Sequence, residues 1–197
     1  MVVPQTAASS LPLVIAFHGI GDSVDSMARY TDFDSVAASE GFVLAYPQSL
    51  HSIWATSDLS PEQGLVRSDW QFADAVVEDI ASHYQIDRER IYAIGMSNDA
   101  TSFAQEWAVH GSAKVAAVVA HSGGRPRQSC LADNKFPILL IVGSDDLASS
   151  AMEGDVNQYR AEGHLADFVE VSGLGHEWST ENNSLMWKFL SSHVIGR

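Results

Sequence analysis

The sequence predicts an α/β protein with a doubly wound, mostly parallel sheet of about six strands. Short, near-continuous apolar runs recur along the chain, and longer amphipathic segments separate them. Apolar strands of that kind suit a sheet covered on both faces, and strand–helix alternation builds βαβ crossovers. No apolar run reaches the ~20 residues that would span a bilayer as a helix.

The elements follow in order. Residues 13–17 (LVIAF) read as the first buried strand. A helix over 23–39 opens on small polar residues and stops before Gly41, as helices do ahead of a left-handed glycine. Residues 42–46 form the second strand. Residues 48–67 carry no clean period and include His51, Trp54, Pro61 and Gly64. A loop that long in a compact domain often serves function. This one leaves the carboxyl end of a strand, where open α/β sheets bind ligands.

A helix over 68–84 places Trp70, Ala73, Val76, Val77 and Ile80 on one face. Strands are expected at 91–94, 115–120, 138–142 and 168–171. The remaining helices are expected at 98–110, ending at Gly111, at 150–162, ending at Gly163, and at 181–194. The 197 residues read as a single domain over 1–197, with no repeat or linker.

Composition narrows the function. Against 11 basic residues stand 25 acidic ones, for a formal charge of −14. Binding to nucleic acid or an anionic membrane needs clustered Lys and Arg, so neither is an expected partner, and a neutral substrate is favoured. Cys130 is the sole cysteine, so no disulfide forms within the chain. Residues 1–10 lack a basic patch followed by an apolar stretch, so no signal peptide is expected there, and location stays open between secreted and cytoplasmic. The histidines show no metal-ligand spacing, and no metal is expected. His51, His83, His110, His164 and His193 read as surface residues, and Trp70, Trp107 and Trp187 as core.

The strongest local signal is Gly95-Met96-Ser97-Asn98 between a strand and a helix. A sharp strand-to-helix turn lifts a serine hydroxyl clear of the sheet. The helix N-terminus then brings amides and a positive dipole end to a reacting carbonyl. Serine needs a base. His176 lies in a glycine-rich loop after the last strand, and Asp146 follows the strand before it; Asp145 reads as a turn former. The order Ser97, Asp146, His176 therefore sets a nucleophile, an orienting acid and a base at successive strand ends. Phe17-His18-Gly19-Ile20-Gly21 leaves the first strand, and the amides of Ile20 and Asn98 are the expected oxyanion donors. Trp54 and Trp178 are expected as an aromatic wall of the substrate pocket, and His121, at another strand end, as a lining residue. Ser122 competes with Ser97 only weakly, since no such turn surrounds it.

These pieces resemble the polyhydroxybutyrate-depolymerase and feruloyl-esterase branch of the α/β-hydrolases. The resemblance is carried by residues 13–23, Tyr46-Pro47-Gln48, Asp69 heading a helix, residues 87–98, Gly143-Ser144-Asp145-Asp146 and Gly175-His176-Glu177-Trp178. It implies an α/β-hydrolase fold without a lid domain and hydrolysis of a small neutral ester through a serine acyl-enzyme, with no cofactor. It also implies His18 beside the substrate pocket, although the residue itself reads first as a structural, hydrogen-bonding histidine. A thioesterase or peptidase on the same scaffold, or a binding protein with weakened catalysis, are the alternatives. A dienelactone hydrolase would need cysteine where Ser97 stands. Two departures stand out. Asp99 occupies the position where the family's turn closes on glycine; it either complements the positive end of the helix dipole or adds bulk and charge near an anionic intermediate. Residues 1–10 are also too few for the first hairpin of larger hydrolases.

Overall fold

Alternation along each strand sends side chains to two apolar layers, one on either face of a single sheet. The computed structural model describes residues 1–5, 9–58, 63–127 and 135–195. Cys130 and Pro61 lie outside the described residues. The sheet contains β1 (Leu11–Phe17), β2 (Val43–Ala45), β3 (Ile86–Met96), β4 (Ala117–His121), β5 (Ile138–Gly143) and β6 (Ala166–Val171). All pairs are parallel, in the order β2-β1-β3-β4-β5-β6.

On one face, Leu13, Ile15, Phe17, Ala93, Val118 and Leu140 pack under α3 (Gln63–His83), α4 (Ser97–His110) and α5 (Ser149–Ala161). On the other, Val14, Ala16, Ile94, Val119 and Ile141 meet α1 (Val24–Thr31), α2 (Phe33–Glu40) and α6 (Asn183–Ser191). The doubly wound sheet is therefore the one the sequence predicts. The chain reverses its direction of winding between β1 and β3, and at such switch points the loops part to form a crevice. Ser97 and the His18–Ile20 turn leave the carboxyl ends of those two strands.

Several expectations are corrected. The single helix over 23–39 is two helices, broken at Asp32, whose φ is 48°. Aspartate enters this left-handed conformation more readily than most residues. The break leaves the Thr31 carbonyl to accept from Asn183 Nδ2 at 2.7 Å and turns Phe33 into the core. α3 begins at Gln63, so it takes the end of the expected loop and places Asp69 within the helix rather than at its head. There Asp69 Oδ2 accepts the Ala55 N–H at 2.9 Å, tying the loop down. β3 begins five residues early; its charged start, with Arg90 paired to Asp87, carries no apolar signal. The final helix is preceded by a 3₁₀ turn, Thr180–Asn182. His164 is buried, its ring edge-on to Phe136 and Tyr159. Val2 adds an antiparallel bridge to Leu44. No helix among the described residues is long and apolar enough to cross a membrane.

Candidate active site

The β3–α4 turn is sterically set. Ser97 sits at φ 72°, in the left-handed region that strains any residue with a Cβ. Gly95 makes the turn passable: a Cβ there would fall 2.4 Å from the Ala100 carbonyl oxygen. Ser97 is thereby held at the head of α4, partly exposed.

His176 reaches Ser97 from the other side. Its Nε2 lies 3.0 Å from Ser97 Oγ, and its Nδ1 lies 2.9 Å from Asp146 Oδ2. An ionised carboxylate only accepts, so Nδ1 carries the proton and Nε2 accepts from the serine hydroxyl. The loop bearing His176 packs on the end of β5 at Gly143, where a Cβ would lie 2.0 Å from the Leu174 carbonyl oxygen. Leu174 also accepts the Asp145 N–H at 2.9 Å. Asp145 is thus spent on the turn, and Asp146 meets the imidazole. Burial pulls the Asp146 carboxyl upward, but the Ala148 N–H, the Ser122 hydroxyl and His176 outweigh it and hold the group below the usual aspartate range.

Two cavities share His176. The smaller, about 600 Å³, is lined by Gly19, Ile20, Tyr30, Met96, Ser97 and Trp178, with Asp22 and Glu177 at its polar side. The larger, about 1010 Å³, runs past Asn98 between Thr56, Ser102, Arg125, Arg127, Asp155 and Gln158, with Leu147 and Met152 as apolar members. Ile20 and Asn98, the expected oxyanion donors, therefore flank Ser97 from opposite cavities.

Three expected pocket residues do not line either cavity. Trp54 is fully buried, edge-on to Phe17 and stacked on Phe103, and its Nε1–H donates to the His18 carbonyl at 2.9 Å. A large ring in a loop packs inward when an apolar hollow lies beneath it. His18 is also buried. The Ser49 N–H donates to its Nε2 at 3.2 Å, so its Nδ1–H donates to the Gly19 carbonyl at 2.9 Å. It braces the turn before Ile20. His121 is buried beneath the Trp178 ring, with centroids 4.8 Å apart and planes 14° from parallel. Trp178 alone of the two tryptophans forms a cavity wall, fixed by its Nε1–H donating to Asn183 Oδ1 at 2.8 Å.

Asp99 is completely buried below the turn, where its Oδ2 accepts the Trp54 N–H at 3.3 Å. Burial raises its carboxyl above the usual range. The Trp54 and Ala100 amides, the His18 ring and the Ile20 amide offset that only in part. The departure from glycine thus links the long loop to the serine turn. Sequence reasoning missed Tyr30 and Met96 on the small cavity, and Arg125 and Arg127 on the large one. Met96 had a signal, since it immediately precedes the serine; the others come from distant segments brought together by the fold.

Comparison with known proteins places this arrangement. The model of a family described as Esterase PHB depolymerase matches residues 1–135. NocK of Nocardia uniformis subsp. tsuyamanensis is 30% identical over 141 residues, covering 68% of this chain and 40% of that protein. A bifunctional acetylxylan esterase/xylanase, XynS20E, of Neocallimastix patriciarum is 28% identical over 163 residues, covering 82% of this chain and 23% of that protein. The chain thus spans less than half the length of either relative. Among solved structures, a hyperthermophilic esterase from the archaeon Pyrobaculum calidifontis superposes with a TM-score of 0.72 at 17% identity, over 95% of this chain and 76% of that one. The fold is the α/β-hydrolase fold.

Proposed function

The chain belongs to the esterase PHB depolymerase family, and from that premise we propose that it hydrolyses small neutral carboxylic esters through a Ser97 acyl-enzyme, without a cofactor. The observation that carries this reading is the unbroken row from Asp146 through His176 to Ser97, at 2.9 and 3.0 Å.

The chemistry follows from the row. His176 Nε2 takes the Ser97 proton as Oγ attacks the ester carbonyl. Negative charge moves to the carbonyl oxygen, where the Asn98 amide at the head of α4 stabilises it. Asp146 holds the imidazole tautomer and balances the imidazolium without accepting its proton. The imidazolium then protonates the departing alkoxide, so the alcohol leaves neutral and the acyl group remains on Ser97. Water, deprotonated by His176, attacks the acyl-enzyme, and proton return to Ser97 Oγ releases the acid. The two cavities give the acyl and alcohol halves separate room. The apolar Met96–Trp178 wall suits an aliphatic or aryl group, and the larger cavity suits a polar one. The net charge of −14 disfavours an anionic substrate.

A fluorophosphonate probe tests the assignment. We expect stoichiometric labelling and p-nitrophenyl acetate turnover in the wild type and neither in Ser97→Ala. Retained labelling in that variant rejects Ser97. A panel of esters, thioesters and anilides with matched acyl groups is expected to rank esters first, and faster thioester turnover would replace the ester assignment with a thioesterase.

A further inference from the structure

Three buried polar side chains on α4 are bonded inside the protein. Thr101 Oγ1 donates to the Asn98 carbonyl at 3.1 Å. Gln105 Nε2 donates to the Thr101 and Gly124 carbonyls at 3.0 and 3.1 Å, and Glu106 accepts the Ser57 N–H at 3.1 Å. Ser102 differs. It is only 8% exposed, yet its hydroxyl makes no hydrogen bond among the described residues. Buried polar groups are nearly always paired, so an unpaired one calls for a reason. A helical serine can donate to the carbonyl four residues back. Here that carbonyl belongs to Asn98, and Thr101 already occupies it. Ser102 instead lines the larger cavity.

Asn98 lines the same cavity, and residues four apart share a helix face. The Gly124 N–H, at 3.2 Å, needs an oxygen. It therefore takes Asn98 Oδ1 and leaves the Nδ2 donors without a partner among the described residues. Because α4 begins at Ser97, Asn98 stands beside the nucleophile and Ser102 lies about 6 Å further along the helix axis. Resting on the ester-hydrolase reading and deepening it, we propose that Ser102, with Asn98, forms a subsite that selects a neutral, hydroxyl-bearing half of the ester in the larger cavity. Charged groups on the far wall are already engaged. Arg125 Nη1 donates to Glu162 at 2.7 Å, and Asp155 Oδ2 accepts the Arg125 N–H at 2.8 Å. The uncharged donors of Asn98 and Ser102 remain to meet the occupant. A substrate hydroxyl accepts from either and can donate to Ser102 Oγ in return. An alkyl chain in its place strips water from Ser102 and leaves that hydroxyl unpaired, so Ser102 discriminates by what the alkyl ester fails to supply.

Two isosteric pairs of esters test the subsite, each exchanging a terminal methyl for a hydroxyl. Pentyl acetate against 4-hydroxybutyl acetate varies the alcohol half. Ethyl heptanoate against ethyl 6-hydroxyhexanoate varies the acyl half. We measure kcat/KM by acid release for wild type, Ser102→Ala and Ser97→Ala, beside thermal unfolding. Comparing the hydroxyl-to-alkyl ratio between proteins cancels the intrinsic reactivity of each ester. Ser102→Ala is expected to lower that ratio about tenfold in one pair or both, and the pair affected identifies the half that occupies the larger cavity. Its Tm is expected to match wild type, because no hydrogen bond within the protein is lost. An unchanged ratio in both pairs, whether or not all four esters slow together, would overturn the proposal. Wild-type turnover of none of the four would overturn the ester reading and the subsite with it. An active Ser97→Ala would overturn the catalytic row alone and leave the Ser102→Ala ratio to judge the subsite.

Discussion

Ser97 and His176 meet at 3.0 Å, yet the molecule holds them by opposite means. Ser97 is fixed by its immediate neighbours. A strand ends, Gly95 slips beneath Ala100, and the residue two positions on is forced to φ 72°. His176 stands in an exposed loop and draws its orientation from elsewhere: Asp146 after β5, Gly143 beneath Leu174, and His121 with Trp178 behind. Steric constraint between sequence neighbours needs no partner. A long loop needs several hydrogen bonds from distant segments to select one conformation against its entropy. The position of Ser97 is therefore locally built and that of His176 collectively built.

The largest break in this comparison is expected on the collective side. Asp146→Asn keeps the shape but loses the charge and the tautomer control, so kcat should fall about 10⁴-fold with Tm little changed. Steady-state kinetics beside a melting curve checks this, and a loss smaller than tenfold would mean that His176 is held without Asp146. The local side is expected to break differently. In Gly95→Ala the new Cβ would fall 2.4 Å from a backbone oxygen that cannot swing aside. Stability should drop by about 3 kcal/mol or more, carrying activity with it, as chemical denaturation would read. A variant that keeps wild-type stability would show that the turn can relax without the glycine.

The smallest expected effect concerns Asp99, which touches both regions through the turn and the Trp54 loop. Its folded carboxyl lies above the usual aspartate range because burial disfavours the charge. A carboxyl raised on folding takes up protons as the chain folds. Its penalty is therefore absent below the unfolded pKa and grows as pH rises through the folded one. Asp99→Asn, which does not titrate, should raise Tm by about 2–4 °C at pH 7 and show no such gain near pH 3.5. Differential scanning fluorimetry across that range decides it, and a gain that persists unchanged at acid pH would contradict the assignment.

The local devices are also the ones that reading along the chain finds. The strand–Gly–Met–Ser–helix pattern fixed the place of Ser97, because the constraint lies within five residues. Asp146 and His176 were legible as residues at strand ends, since parallel β-strands direct their exits to one rim of the sheet. Trp54 was misread because its loop carries no period to say which way a side chain points; a hollow formed by Phe17, Phe103 and Trp107 decides that, and those residues belong to other elements. The split at Asp32 was hidden for a similar reason, as Asn183, more than a hundred residues away, accepts the task of satisfying Thr31.

The sequence by itself determined the order of strands and helices, the two-faced sheet and the identity of the three residues in the row, all of which follow from periodicity and from steric rules between neighbours. Only the tertiary structure decided which side chains wall the cavities, that Trp54 turns into the core, and that His121 lies buried beneath the Trp178 ring. Those outcomes depend on burial and on hydrogen-bond partners contributed by distant segments, and both come into being only when the chain closes on itself.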